Sequence, residues 1–243
     1  MTTASSALFS GTAMGSSRDS ILAGQDGRDL IAGGEGDDLI DGKGGNDSLF
    51  GNAGNDTLYG FDGSDSLYGG EGDDLILGES GDDKLYGEAG HDSLSGGEGS
   101  DLLEGGKGKD LLKGDAGNDL VSGGAGDDSL EGNAGNDILN GTDAIALGRF
   151  EQDILVGGDG ADRFILGNSN QAYYMAQGDQ DYALIKDFLA SADVVQLYGS
   201  ASSYQQRQQG ADTLLYWGNQ ELIAVFENTA VLALASNSFE FFS

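Results

Sequence analysis

From Ile31 to Leu139 a large aliphatic residue returns at every ninth position, through Ile40, Leu49, Leu58 and Leu67, and the positions between are mostly small, polar or acidic. The unit reads G-x-x-G-x-D-x-U-x, where U is Ile, Leu or Val, and it runs thirteen times from Gly24 to Asn140 without insertion or deletion. Around U the pattern alternates, which predicts a three-residue strand x-U-x with U on one face and its neighbours on the other. The remaining six positions, with Gly at the first and fourth, read as a turn. One such strand buries almost nothing, so copies must stack. Two units make a coil of 18 residues, and successive coils pair as parallel strands about 4.8 Å apart. A period this short and strict marks a solenoid. The expected fold is all-β, a parallel β-roll with its column of aliphatic residues inside.

The pattern also divides the chain. Residues 1–23 are expected to cap the first coil, with Gly15–Ala23 as a degenerate leading copy. The roll is expected over 24–165. Gly157–Phe164 is one further copy and Gln152–Leu155 the end of another, so a seven-residue excess implies a loop over 141–152. From 166 to 243 the period stops and short apolar runs predict a β-rich cap: Tyr182–Ile185, Asp193–Leu197, Thr213–Trp217, Glu221–Phe226, Val231–Leu234 and Phe239–Phe242. Position nine sets Phe50, Tyr68 and Tyr86 on one face and Tyr59 and Leu77 on the other. Such ladders stack across coils or meet a sugar or partner. Leu102, Leu120 and Ile138, at position seven, form an outward apolar stripe that could dock the C-terminal segment or a second copy.

Charge sharpens this picture. The chain of 243 residues has a net charge of −31, with 44 Gly and neither Pro nor Cys. Residues 163–243 hold only eight acidic and three basic side chains, so most of the charge lies on the repeats. Such a polyanion repels nucleic acid and anionic membranes and attracts cations. Disorder is argued against by the fixed register, and collagen by glycines that do not fall every third residue. Without Cys there is no disulfide framework, and no run is long enough for a membrane-spanning helix. The start, Met1–Ser10, has neither a basic beginning nor an apolar run, so it does not read as a cleaved signal peptide.

The conserved spacing of the acid carries the candidate chemistry. Asp29, Asp47, Asp65, Asp83, Asp101, Asp119 and Asp137 recur every 18 residues on one edge, and Asp38, Asp56, Asp74, Asp92, Asp110 and Asp128 on the other. Carboxylates stacked at strand spacing repel one another unless a cation lies between them. Carboxylates with turn carbonyls make an all-oxygen environment that suits Ca²⁺ better than Mg²⁺, zinc or copper. The unit resembles the nonapeptide of the RTX (repeats-in-toxin, hemolysin-type) calcium-binding family. The resemblance implies Ca²⁺ between turns of successive coils, held by the position-six Asp residues, with Asp153 and Asp162 continuing them. Turn carbonyls would add ligands around the position-four glycines Gly27, Gly36, Gly45, Gly54, Gly63, Gly72, Gly81, Gly90, Gly99, Gly108, Gly117, Gly126 and Gly135. Six gaps on one edge and five on the other give about 11 ions, and folding would require them. Ile185–Phe188 with Asp193–Leu197 resembles an element that follows the roll in such proteins. There Asp187 and Asp193 would either form a last calcium site or be simple solvated carboxylates. The resemblance further implies a type I (ABC) secretion signal in the C-terminal segment and hence an extracellular destination.

Catalytic signals are weak. The one histidine, His91, fills the variable fifth position and reads as part of a turn; there is no G-x-S-x-G, H-E-x-x-H or phosphate loop. Paired acids such as Asp37 and Asp38 recur at the repeat period and so read as turn residues and ligands. The expected function is a secreted, non-catalytic calcium-binding roll with a structural or surface-association role, possible cell-surface or polysaccharide contact, and no membrane insertion. The alternative is an accessory module for a separately encoded extracellular enzyme, which copurification with that enzyme would reveal.

Overall fold

The aliphatic residue of each unit folds into one column. Leu49, Leu58, Leu67, Ile76 and Leu85 are all wholly removed from solvent, while the residues flanking them are half-buried or exposed. The computed structural model describes residues 5–8 (backbone alone), 12–142, 151–167, 174, 182–218, 221–230, 232–234 and 236–242. The loop expected over 141–152 therefore lies outside the described residues at 143–150. Alternate units feed two facing sheets. One holds Leu39–Asp41, Thr57–Asp62, Leu75–Ser80, Ser93–Glu98, Leu111–Ala116 and Ser129–Ala134 in that order. The other holds Leu30–Glu35, Ser48–Ala53, Ser66–Glu71, Lys84–Ala89, Leu102–Lys107, Leu120–Ala125 and Ile138–Thr142. Neighbouring strands are parallel and shifted by one coil, so Leu49 pairs with Leu67 and Leu67 with Leu85. Past Thr142 the partner of Leu130 is Leu155, and the seven extra residues leave the stack unbroken. The chain is a parallel β-roll.

Most strands of the roll are longer than the three residues the alternation predicts, Leu39–Asp41 excepted. Ser48–Ala53 runs from position seven of one unit to position three of the next and pairs with Ser66–Glu71 at both ends. Only positions four to six turn. Glycine at position one and a positive φ at position two kink the strand and let pairing resume. At seven units where position two is not Gly, namely Lys43, Asn52, Phe61, Glu79, Glu88, Asp115 and Asn133, φ still lies between 71° and 83°. Each such residue costs on the order of 1 kcal/mol, and the surrounding ladder holds it there.

The sheets continue past the repeats at both ends. Ser5–Leu8 and Thr12–Met14 add one strand to each sheet ahead of Gly15, parallel to Ser20–Ala23 and Leu30–Glu35. Beyond the repeats, Arg163–Ile165, Val194–Tyr198 and Phe239–Phe242 extend the second sheet, and Tyr182–Ile185 and Glu221–Phe226 the first. Asp212–Trp217 and Tyr204–Gln209 then pair antiparallel and end the first sheet. Aromatic residues replace the aliphatic column here: Phe188 lies 5.2 Å from Phe226 and 6.0 Å from Phe164, ring centre to ring centre. An Arg163–Glu240 ion pair joins the last repeat copy to the final strand.

One expected strand is missing in this segment, and one strand forms that was not expected. No strand forms at residues 232–234, because the Leu232 N–H donates to the Gln206 side-chain oxygen at 3.0 Å instead of to a ladder. The strand Tyr204–Gln209 carries no apolar alternation, and pairing with Asp212–Trp217 makes it extended. The stripe Leu102, Leu120 and Ile138 is continuous, but the C-terminal segment stacks on the end of the roll and leaves Leu120 44% exposed. The aromatic ladder is a stack. Phe50–Tyr68 and Tyr68–Tyr86 centroids lie 4.8 and 4.9 Å apart with planes within 9° of parallel, so the rings spend their faces on one another. Tyr59 pairs with Leu77 on the opposite sheet and stacks on Phe61.

Candidate metal centres

Each turn places its Asp where two coils meet. The Asp29 N–H donates to Asp47 Oδ1 at 2.8 Å, Asp47 N–H to Asp65 Oδ1 at 2.7 Å, and so on along that edge to Asp137 and Asp162. The other edge runs from Ser20 through Asp38, Asp56, Asp74, Asp92, Asp110 and Asp128 to Asp153. One oxygen of each carboxylate thus ties its coil to the one before. These Asp residues are all at most 5% exposed.

The second oxygen is the unusual one. In Asp38, Asp47, Asp56, Asp65, Asp74, Asp83, Asp92, Asp101, Asp110, Asp119, Asp128, Asp137 and Asp162, Oδ2 is buried without a hydrogen-bond partner in the protein. It faces the position-one glycine of its own unit. An ideal Cβ on Gly60 would meet Asp65 Oδ2 at 2.5 Å and the Gly78 carbonyl oxygen at 2.8 Å. Carboxylate and carbonyl oxygens from adjacent coils therefore crowd one cradle that a methyl group would fill. The position-four glycines are held differently, at φ between 104° and 150°, and from Gly45 onward a Cβ there would strike the backbone of the glycine 18 residues earlier, whereas at Gly36 it would meet Arg18 and Asp19 and at Gly27 nothing within 4 Å. Gly36, Gly54, Gly72, Gly90, Gly108 and Gly126 stack in this way on one edge, and Gly27, Gly45, Gly63, Gly81, Gly99, Gly117 and Gly135 on the other.

Burial acts on these acids as physics requires. Desolvation pushes Asp74 and Asp83 up to about 7 and Asp128 to about 8, with neighbouring carboxylates adding to the rise and the donated backbone N–H opposing it. Asp47, Asp56, Asp92, Asp101, Asp119, Asp137 and Asp162 rise to about 6 for the same first cause. An unpaired anion in such a place is costly. A hard divalent cation fits the donor set: every available ligand is oxygen, and the charge deficit is positive. Among the described residues no three acidic or imidazole side chains converge on one point, so the carboxylates run in single file and carbonyls must complete any coordination shell.

Not every expected acid behaves alike. Asp29 Oδ2 accepts the Gln25 N–H at 2.8 Å, and Asp153 Oδ2 accepts the Tyr174 hydroxyl at 2.5 Å. Asp187 is half-buried and Asp193 buried, and both accept backbone hydrogen bonds. Asp187 accepts from Gly157 and Gly158 N–H at 3.0 and 2.7 Å, and Asp193 from Asp162 and Leu189 N–H at 3.1 and 2.7 Å. A second ladder, outside the first, was not expected. The Asn55 N–H donates to Asp37 Oδ1, Asp73 N–H to Asn55 Oδ1, His91 N–H to Asp73 Oδ1, and Lys109 N–H to His91 Nδ1, all at 2.7–2.9 Å. His91 is a rung of that ladder. Its signal in the sequence is the frequency of Asp and Asn at position five, side chains that carry an acceptor at the same reach.

Comparison with known proteins agrees with this geometry. The family described as the RTX calcium-binding nonapeptide repeat (4 copies) matches residues 14–49, 41–76, 68–103, 77–112, 113–143 and 147–170. No curated protein matches the chain. Among solved structures it is similar to the AlgE6R3 subunit of the mannuronan C5-epimerase of Azotobacter vinelandii, at 27% identity over 58% of this chain and 80% of that one, with a TM-score of 0.37. It is also similar to the extracellular lipase LipA of Serratia marcescens, at 18% identity over 80% of this chain and a TM-score of 0.27, the match spanning 44% of the lipase. With the family matching well over half of its length, the chain belongs to the RTX calcium-binding nonapeptide repeat proteins.

Proposed function

We propose that the two rows of buried carboxylates hold Ca²⁺ between successive coils, and that filling them is what folds the roll. The observation that carries this is the row of Oδ2 atoms, thirteen in all, each buried, charged at neutral pH in the absence of burial, and without a protein partner. They form seven rungs on one edge and six on the other. One ion per gap gives about 11 ions per chain, the carboxylates supplying charge and the turn carbonyls the remaining oxygens. Bound calcium supplies positive charge where the chain has none. The residues themselves do the rest: Oδ1 fixes the spacing of the coils, and position-one glycine leaves the cradle open.

In this reading the protein is secreted and non-catalytic, a rigid element for structural or surface-association work outside the cell. Residues 166–243 cap the roll and carry the type I export signal, and 1–23 cap its start. Low calcium inside the cell keeps the chain unfolded for passage; higher calcium outside folds it. Calorimetric titration of the full chain tests the metal assignment. Uptake of about 11 ions coupled to folding is expected, and a folded chain that takes up two or three overturns it.

A further inference from the structure

Each row of unpartnered oxygens stops at a carboxylate that has found a donor in the protein. On the row that begins at Asp38 the last member is Asp153. Its Oδ1 accepts the Asp128 N–H at 2.9 Å, as its predecessors' do, but its Oδ2 takes the Tyr174 hydroxyl at 2.5 Å. Both residues are completely buried. The hydroxyl lies beside Gly141, with Asp153 Oδ2, in the cradle that one coil earlier, beside Gly123, is shared by Asp128 Oδ2 and the Gly141 carbonyl oxygen. Register explains why a stop is needed: the next strand sets Ala183 against Asp153, so no further carboxylate follows. Tyr174 holds φ at 55°, a conformation that packing, not local preference, must impose. A phenol keeps its proton at neutral pH, and a carboxylate oxygen only accepts, so the hydroxyl is the donor.

We propose that the Tyr174 hydroxyl terminates this calcium row, donating to Asp153 Oδ2 in place of a cation and closing the gap between Asp128 and Asp153 to metal. The other row ends in the same manner, with Leu189 N–H donating to Asp193 Oδ2 at 2.7 Å. Asp153, which the repeat pattern alone makes a ligand, is then a structural acceptor. The proposal rests on the reading that the inner rungs bind Ca²⁺.

Native mass spectrometry of the full chain in calcium counts bound ions one by one and separates the two claims. Tyr174→Phe leaves Asp153 Oδ2 without its donor and is expected to hold one ion more than the parent chain, with a larger rise in melting temperature on adding calcium. Asp153→Asn, whose amide oxygen still accepts the Asp128 N–H and whose amide nitrogen can donate to the phenol oxygen, is expected to leave the count unchanged, whereas Asp110→Asn lowers it. An unchanged count in folded Tyr174→Phe, or a lower count in Asp153→Asn, overturns the role of Tyr174; should Tyr174→Phe not fold, Asp153→Asn decides. A parent chain that binds no calcium overturns the underlying reading and the proposal with it.

Discussion

At the scale of the residue, the fixed letters of the repeat each answer a separate demand. Position-six Asp spends one oxygen on the neighbouring coil and keeps the other buried and unpartnered. Position-one Gly exists because that second oxygen and a carbonyl occupy the space of a Cβ. Gly87→Ala should therefore push against Asp92 Oδ2 and the Gly105 carbonyl and lower stability in calcium by about 2 kcal/mol, read from a denaturant midpoint. His91 offers a contrast. Its Nδ1 accepts a backbone N–H at an exposed site, so His91→Asn should fall within about 0.5 kcal/mol of the parent and His91→Ala should cost about 1 kcal/mol. A base role for His91 predicts no such difference. The carboxylate rows were legible in the sequence because Asp repeats at the coil period. The Tyr174 contact was not, since it lies outside the repeats and joins residues 21 apart through a fold the sequence does not spell out.

At the scale of the element, strands form from pairing more than from local preference. Six-residue strands run through two positions, one and two, that carry Gly or a positive φ, and both would argue against a strand in an isolated segment. The alternation around U was visible; the return to pairing at positions two and three depends on the next coil and was not. Tyr204–Gln209 shows the same logic, a polar strand made extended by its neighbour, and residues 232–234 its converse. Stacking across coils also sets the aromatic ladder. Tyr68 touches a ring on each side, so Tyr68→Ala should cost about 2 kcal/mol, more than Phe50→Ala or Tyr86→Ala, which each lose one stacking partner. Thermal melts in calcium give that order. Equal losses at all three would mean that the stacks add nothing beyond burial.

For the whole molecule the balance is electrostatic. The fold sets two files of buried acids around a thin aliphatic column, in a chain whose net charge is −31. In the metal-free fold these acids hold their protons more tightly than in the unfolded chain, with Asp74 and Asp83 at about 7 and Asp128 at about 8 against an ordinary 3.8. Their contribution to stability is thus fully present below about pH 4 and is lost as pH rises through about 6 to 8. In chelator, β structure should appear on acidification and melt toward neutrality. In calcium the dependence reverses, because ligation needs the carboxylates ionised, and midpoints for calcium should rise as pH falls. The most direct test of the account is far-UV circular dichroism of the full chain at neutral pH, in excess chelator and then in millimolar Ca²⁺. The account predicts a disordered spectrum that converts to strong β signal as calcium is added; the same strong β signal in both solutions would contradict it.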